Sequence, residues 1–232
     1  MKRLLACVAG AFVLSATANA ATVVLDFEGV PAGAIIANQY PGVVISAINA
    51  PINLAITFDS DNYTGEDTDL AQPLTRVGGD IGGGGAAGNL LILSEDGDLA
   101  DPDDDARGGI FNFDFDDVVS FLGFDGIDIN DDSSNLLVRL YGADDVTEIF
   151  SFDFDAAIAA IVGDNQYWSL FASVFGPSGV AGVGRAEIQL FGSGAIDNVT
   201  FETAEIPAPA ALPLLLSGLA GLGFAARRRR KT

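Results

Sequence analysis

Gly109-Ile110-Phe111-Asn112-Phe113-Asp114-Phe115-Asp116 is the stretch from which the fold is read. From Phe111 onward, aromatic and polar residues alternate strictly. Successive side chains of an extended strand point to opposite faces, so the three Phe share one face and the polar residues the other. A strand face of alternating Phe belongs in a core. Phe150-Ser151-Phe152-Asp153-Phe154-Asp155 repeats the device.

Outward from these segments the apolar residues keep coming in short runs separated by Gly, Asp and Asn, the punctuation of strands and turns. The expected strands are 22–27, 43–48, 54–58, 89–94, 109–115, 118–124, 135–141, 146–152, 167–175, 185–191 and 195–201. One helical piece is expected at 155–162, where the apolar run is rich in Ala. Gly78 to Gly85 reads as a flexible loop, and it opens no helix in the manner of a phosphate-binding loop. Many short strands and no long amphipathic helix predict an all-β chain, an antiparallel two-sheet β-sandwich of jelly-roll type.

The charge is distributed unevenly. Of the 11 Lys and Arg, seven lie near the two ends: Lys2, Arg3 and the run Arg227, Arg228, Arg229, Arg230, Lys231. All 32 Asp and Glu lie between, so residues 21–206 keep only Arg76, Arg107, Arg139 and Arg185 and carry a formal charge of −28. Such a body is a poor partner for nucleic acid, whose phosphates demand cations. Divalent cations are its natural counterions. It has no Lys, no His and no Cys, so no disulfide holds it, and nucleophile–base pairs built on His, Cys or Lys are excluded. Paired carboxylates would remain for glycoside hydrolysis, but with so many acids no pair is singled out, and the reading is not an enzyme.

The acids gather in short groups: Asp59-Ser60-Asp61-Asn62, Glu95-Asp96-Gly97-Asp98, Asp101-Pro102-Asp103-Asp104-Asp105, Asp125-Gly126-Ile127-Asp128 and Asp144-Asp145. Clustered loop carboxylates are raw material for Ca²⁺, which takes six to eight oxygens, and equally for a solvated acidic surface. None has EF-hand spacing: counted from Asp101, the position requiring Gly is Ala106.

Both ends carry addresses. Residues 1–20 read as a secretory signal, with Lys2 and Arg3 before an apolar stretch and Ala18-Asn19-Ala20 as the cleavage site. Residues 205–232 hold Ile206-Pro207-Ala208-Pro209-Ala210, then an uncharged run to Ala226 containing Leu212, Leu214, Leu215, Leu216, Leu219, Leu222 and Phe224, then the cation run. Counted from Pro207, that run reaches the roughly 20 residues a helix needs to cross a bilayer. The terminal cations would stay on the cytoplasmic side, leaving the body outside.

This three-part tail resembles the PEP-CTERM sorting signal, in particular its VPLPA-type variant. The resemblance implies export from a Gram-negative cell, anchoring in the inner membrane until an exosortase processes the chain near the Pro motif, and a final place at the cell surface or in an exopolysaccharide matrix or biofilm. A second resemblance joins the ends of the body. Leu25-Asp26-Phe27-Glu28-Gly29 and Gly194-Ala195-Ile196-Asp197-Asn198-Val199-Thr200-Phe201 are similar to the terminal strands of galactose-binding-like jelly rolls and carbohydrate-binding modules. In those proteins the first and last strands are neighbours and an acid near each holds a structural calcium, which implies Glu28 and Asp197 as ligands, helped by Asp26 or Asn198. The expected function is therefore an exported envelope protein of residues 21–204 that binds or organises exopolysaccharide with structural Ca²⁺. A surface protein with no specific ligand and a glycan-cleaving enzyme are the alternatives. Sugar rings would stack on Tyr63, Tyr141, Tyr167 or Trp168, although Trp168 reads first as core.

Overall fold

The computed structural model describes residues 20–63, 68–79, 86, 88–129, 136–154, 162 and 164–203. Among them the chain forms eleven strands: β1 (Thr22–Leu25), β2 (Val43–Ile48), β3 (Ala55–Asp59), β4 (Thr75–Gly79), β5 (Asn89–Leu93), β6 (Gly109–Ile127), β7 (Leu136–Tyr141), β8 (Glu148–Phe154), β9 (Gln166–Leu170), β10 (Val180–Leu190) and β11 (Ala195–Thr203). A 3-10 turn at Thr68–Leu70 and the one-turn helix α1 (Ala172–Phe175) complete it. Residues Ala21–Ala204 form one compact unit. The secretory signal, the Pro motif, the apolar run, the terminal cations and most of the expected helix at 155–162 lie outside the described residues. Among the described residues, no helix is long and apolar enough to cross a membrane.

The organising element is β6. Its nineteen residues would span about 60 Å if straight, some three times an ordinary strand. It bends instead, and the bend lets it serve two sets of neighbours. Its first part lies between β2 and β10, with Phe113 opposite both Ile45 and Ala186. Its last part lies between β11 and β9, with Asp125 opposite both Asp197 and Ser169. Between Asp114 and Val119 the register with β10 is broken by bulges, and Asp116, Asp117 and Val118 are exposed there. The two strands expected at 109–115 and 118–124 are thus one bent strand. For the same reason the two expected sheets share one hydrogen-bonded network, with the path β3-β5-β11-β6-β10-β7-β8. All the pairings are antiparallel except β4 with β9. Two elements were not expected: β4, which takes in Gly78 and Gly79 of the glycine loop, and α1, which ends the expected strand 167–175 early.

Burial follows the alternation. Phe111, Phe113 and Phe115 face the main core with Ile45 of β2, Val138 of β7 and Ile188 of β10. Leu25, Leu91, Phe124, Leu170, Val199 and Phe201 enter the same core from the other half. Rings meet across it, Phe115 against Phe201 at 4.9 Å and Phe154 of β8 against Trp168 of β9 at 5.7 Å. In the second stripe only Phe154 is fully buried, while Phe150 and Phe152 pack partly buried against the core.

The run Leu90-Leu91-Ile92-Leu93 does not alternate in polarity, because β5 is buried on both faces. Leu91 and Leu93 point to the main core, and Leu90 and Ile92 to a second, smaller one with Ile56, Phe58, Leu70 and Ile127. At Gly123 the backbone takes a positive φ, and a Cβ there would run into the Leu170 carbonyl of β9.

These contacts set expected stabilities. Phe113→Ala removes a fully buried ring and should cost about 3–5 kcal/mol. Val118→Ala in the exposed bend should stay within about 0.5 kcal/mol. Urea unfolding that gave equal losses for the two would contradict the placement of β6.

Candidate functional site

The site is built where the chain ends meet. β1 pairs antiparallel with β11, from Thr22 opposite Glu202 to Leu25 opposite Val199. One step further Asp26 would face Asn198, but the ladder stops, and Phe27 and Asn198 both adopt positive φ, at 56° and 53°. Asn tolerates that conformation, whereas Phe rarely does. On the far side of β11 the register with β6 is irregular between Asp197 and Thr200.

The resulting neighbourhood is recorded by Tyr40, whose ring stands edge-on to Phe27 at 5.9 Å. Its hydroxyl is buried with no hydrogen-bond partner. Burial raises its pKa first, followed by the negative charges of Asp26, Asp197 and Glu28. Three of the four expected ligands therefore act on one phenol. The Glu28 carboxylate is turned toward β5, where its Oε1 accepts the Asn89 amide N–H at 2.9 Å. The Asn89 side chain in turn donates to the carbonyls of Val30 and Phe27, at 2.7 and 3.2 Å. A Cβ on Gly88 would overlap the Glu28 carboxylate, so only glycine leaves this space.

Asp197 and Asn198 are buried, at 1% and 6% exposure. The Asn198 amide nitrogen lies 2.9 Å from Asp125 Oδ2 and 3.0 Å from Asp197 Oδ2, so it donates toward both carboxylates. Asp125, near the end of β6, is wholly buried. Its pKa is raised by burial, against which the Ser169 and Asn198 side chains and the charge of Arg76 act. Buried carboxylate oxygens with no cation in contact are the donor type that a hard divalent ion takes. Among the described residues, no three acidic side chains already stand as a ready metal cluster.

Asp125 was read from the sequence as a loop acid, as was Asp128. Asp125 instead belongs to β6, and Asp128, which follows it, is 1% exposed. Asp104 and Asp105 are likewise buried, at 6% and 3%. Asp105 takes a two-point contact from Arg107, Nε at 2.8 Å and a terminal nitrogen at 2.9 Å, plus the Asn49 amide at 3.3 Å. Burial pushes its pKa up, but these hydrogen bonds outweigh burial and leave it lowered.

The remaining loop acids mostly shape their own turns. Asp59 accepts the N–H groups of Asp61 and Asn62, and Asp144 those of Val146 and Thr147. The Thr147 hydroxyl and these amides hold Asp144 down at about 2. Asp96, Asp98, Asp101, Pro102 and Asp103 line a surface recess of about 240 Å³.

Trp168 is half-buried. It lies on the backbone of β4, where a Cβ on Gly78 would overlap its ring, and it stands edge-on to Phe154. Its role here is packing. Tyr167 packs beside the second core, and Tyr63 stacks on Phe58 at 6.4 Å. No family model, no curated protein and no solved structure matches this chain.

Asp104 sets a pH dependence. It accepts the Ser193 hydroxyl at 2.7 Å and the Gly194 N–H, which joins the β5–β6 connection to the start of β11. Burial lifts its pKa to about 7, with Asp69 and Asp103 adding to the rise. A carboxyl whose folded pKa lies above its unfolded value takes up a proton on folding. Its contribution is complete below about pH 4 and is lost as the pH rises through about 7. The unfolding free energy of wild type should therefore fall between pH 4 and pH 8 by roughly 2–4 kcal/mol more than that of Asp104→Asn. Parallel pH profiles would contradict this.

Proposed function

We propose that this chain is an exported, exosortase-sorted envelope protein whose β-sandwich body, of jelly-roll type, binds or organises exopolysaccharide and is braced by a structural calcium ion. The observation that carries the reading is the antiparallel pairing of the first and last strands, Leu25 opposite Val199, which ends one residue short of Asp26 on one strand and of Asn198 on the other. Glu28 and Asp197 would supply charged ligands, helped by Asp26 or by the Asn198 side-chain carbonyl. An ion there would offset carboxylate charge in a body formally at −28 and tie the chain ends where no disulfide does. The tail supports sorting: the Pro motif Ile206–Ala210, a Leu-rich run of membrane-spanning length and Arg227 to Arg230 stand in the order of an exosortase substrate. Before processing, the body would hang outside the inner membrane, and afterwards it would rest at the cell surface or in the matrix.

A second reading, a structural surface protein without a specific ligand, draws on β2. Among the described strands it pairs with β6 alone, it has no charged residue, and Val44 and Ile48 are exposed on it, features that favour self-association, although its Ile45 N–H already donates to the Ala37 carbonyl.

Thermal unfolding of residues 21–204 with millimolar Ca²⁺ and with EDTA tests the ion. Saturating Ca²⁺ should raise the melting temperature by roughly 5–10 °C. The rise, measured from each variant's own EDTA baseline, should vanish in Glu28→Ala and Asp197→Ala. An unchanged wild-type melting temperature would remove the metal from the reading.

A further inference from the structure

The outward face of the first sheet half carries the one concentration of guanidinium groups that the pairing of the described strands creates. Arg139 of β7 and Arg185 of β10, two of the body's four arginines, stand on neighbouring strands around Glu187. Arg185 donates to Glu187 Oε1 at 2.8 Å and lies over the Tyr141 ring, 4.6 Å from its centroid. The Tyr141 hydroxyl donates to Glu187 Oε2 at 2.8 Å, Arg139 approaches the same oxygen at 3.7 Å, and Arg139 also donates to Gln189 at 3.3 Å. Register explains the array. Arg185 is opposite Tyr141 and Glu187 opposite Arg139, while Ala186 and Ile188 between them enter the core.

These are planar groups locked by one another before any ligand arrives, so little side-chain entropy remains to be lost on binding. Each guanidinium has five N–H donors, of which the contacts above use few. Glu187 and Gln189 add acceptors. A surface offering fixed donors and acceptors beside an aromatic ring suits vicinal hydroxyls, each of which both donates and accepts. Charge selects the class of polymer. Asp114 and Glu148 flank the arginines, and a body at −28 repels a polyanion before it docks.

We propose that the outward face of β10 and β7 binds an uncharged polysaccharide, with the Arg185 guanidinium stacked on Tyr141 as the flat platform and Arg139, Glu187 and Gln189 as hydroxyl partners. This rests on the carbohydrate reading above and selects Tyr141 from the four aromatic candidates of the sequence, the Trp168 ring lying against Gly78 of β4. Affinity electrophoresis and calorimetry of the full chain in mild detergent, against dextran, a galactomannan and alginate, test it.

Wild type should bind one of the two neutral polymers. Tyr141→Ala and Arg139→Ala should each bind about tenfold more weakly, and Tyr141→Phe, which keeps the ring, should lose less. Thermal unfolding of every variant separates the outcomes, because a purely structural role would lower melting temperatures and leave the affinity of folded protein unchanged. Neutral-polymer binding that survives both alanine substitutions would overturn the face and spare the carbohydrate reading. Binding of alginate alone would overturn the neutral class, and binding of none of the three would overturn both the face and the carbohydrate reading.

Discussion

A strand of nineteen residues crossing a small body must bend, and the rest of this protein is arranged around the bend in β6. Before it, Phe111, Phe113 and Phe115 fill the core between β2 and β10. After it the strand is buried on both faces, between β11 and β9, with Phe121 and Phe124 on one side and Ile127 on the other. The two halves face each other across one core because a single chain segment runs through both. Aromatic contacts such as Phe115 with Phe201 then close the gap. Neither disulfide nor cationic residue is spent on this. The hydrophobic face of β6 and its partners supplies the cohesion.

Carrying so much negative charge imposes a second constraint. The chain meets it in two ways. Asp59 at the end of β3 and the exposed Asp144 accept backbone N–H groups of the turns that follow them, which stabilises both the turn and the ionised carboxylate. Buried acids take neutral or cationic donors from distinct parts of the chain: Asp104 from Ser193 and Gly194, Asp105 from Arg107 and Asn49, Asp125 from Asn198. Asp105 has a cation in contact and its pKa falls, whereas Asp104 and Asp125 have none and theirs rise. That difference marks the sites where a proton or a metal ion does most for stability.

The two candidate regions sit on opposite consequences of the same sheet. The acid neighbourhood around Tyr40 arises where the β1–β11 ladder stops and side chains leave the strand pattern. The Arg139–Glu187–Arg185–Tyr141 array arises where the ladder is regular and side chains on neighbouring strands stack in register. Irregularity gathers oxygens at one place, and regularity lays out donors at the other.

Much of the strand pattern was legible in the residues, since alternation such as Phe111-Asn112-Phe113 is local information. Even the bend was visible as a break at Asp116 and Asp117, although it read as two strands. β4 escaped because Gly78 and Gly79 have no side chains to alternate, and they join the sheet only because the ring of Trp168 and the backbone of β9 lie against them. Asp26, Glu28 and Asp197 were singled out through a resemblance, and their common neighbour Tyr40 carried no sequence signal. Asp125 looked like a loop acid because its neighbour is glycine. The sequence by itself determined the strand character, the apolar faces and the uneven charge, because each follows from residue type and spacing of two. Only the tertiary structure decided which acids are buried and which arginines stand together, because burial and cross-strand register depend on partners tens of residues away.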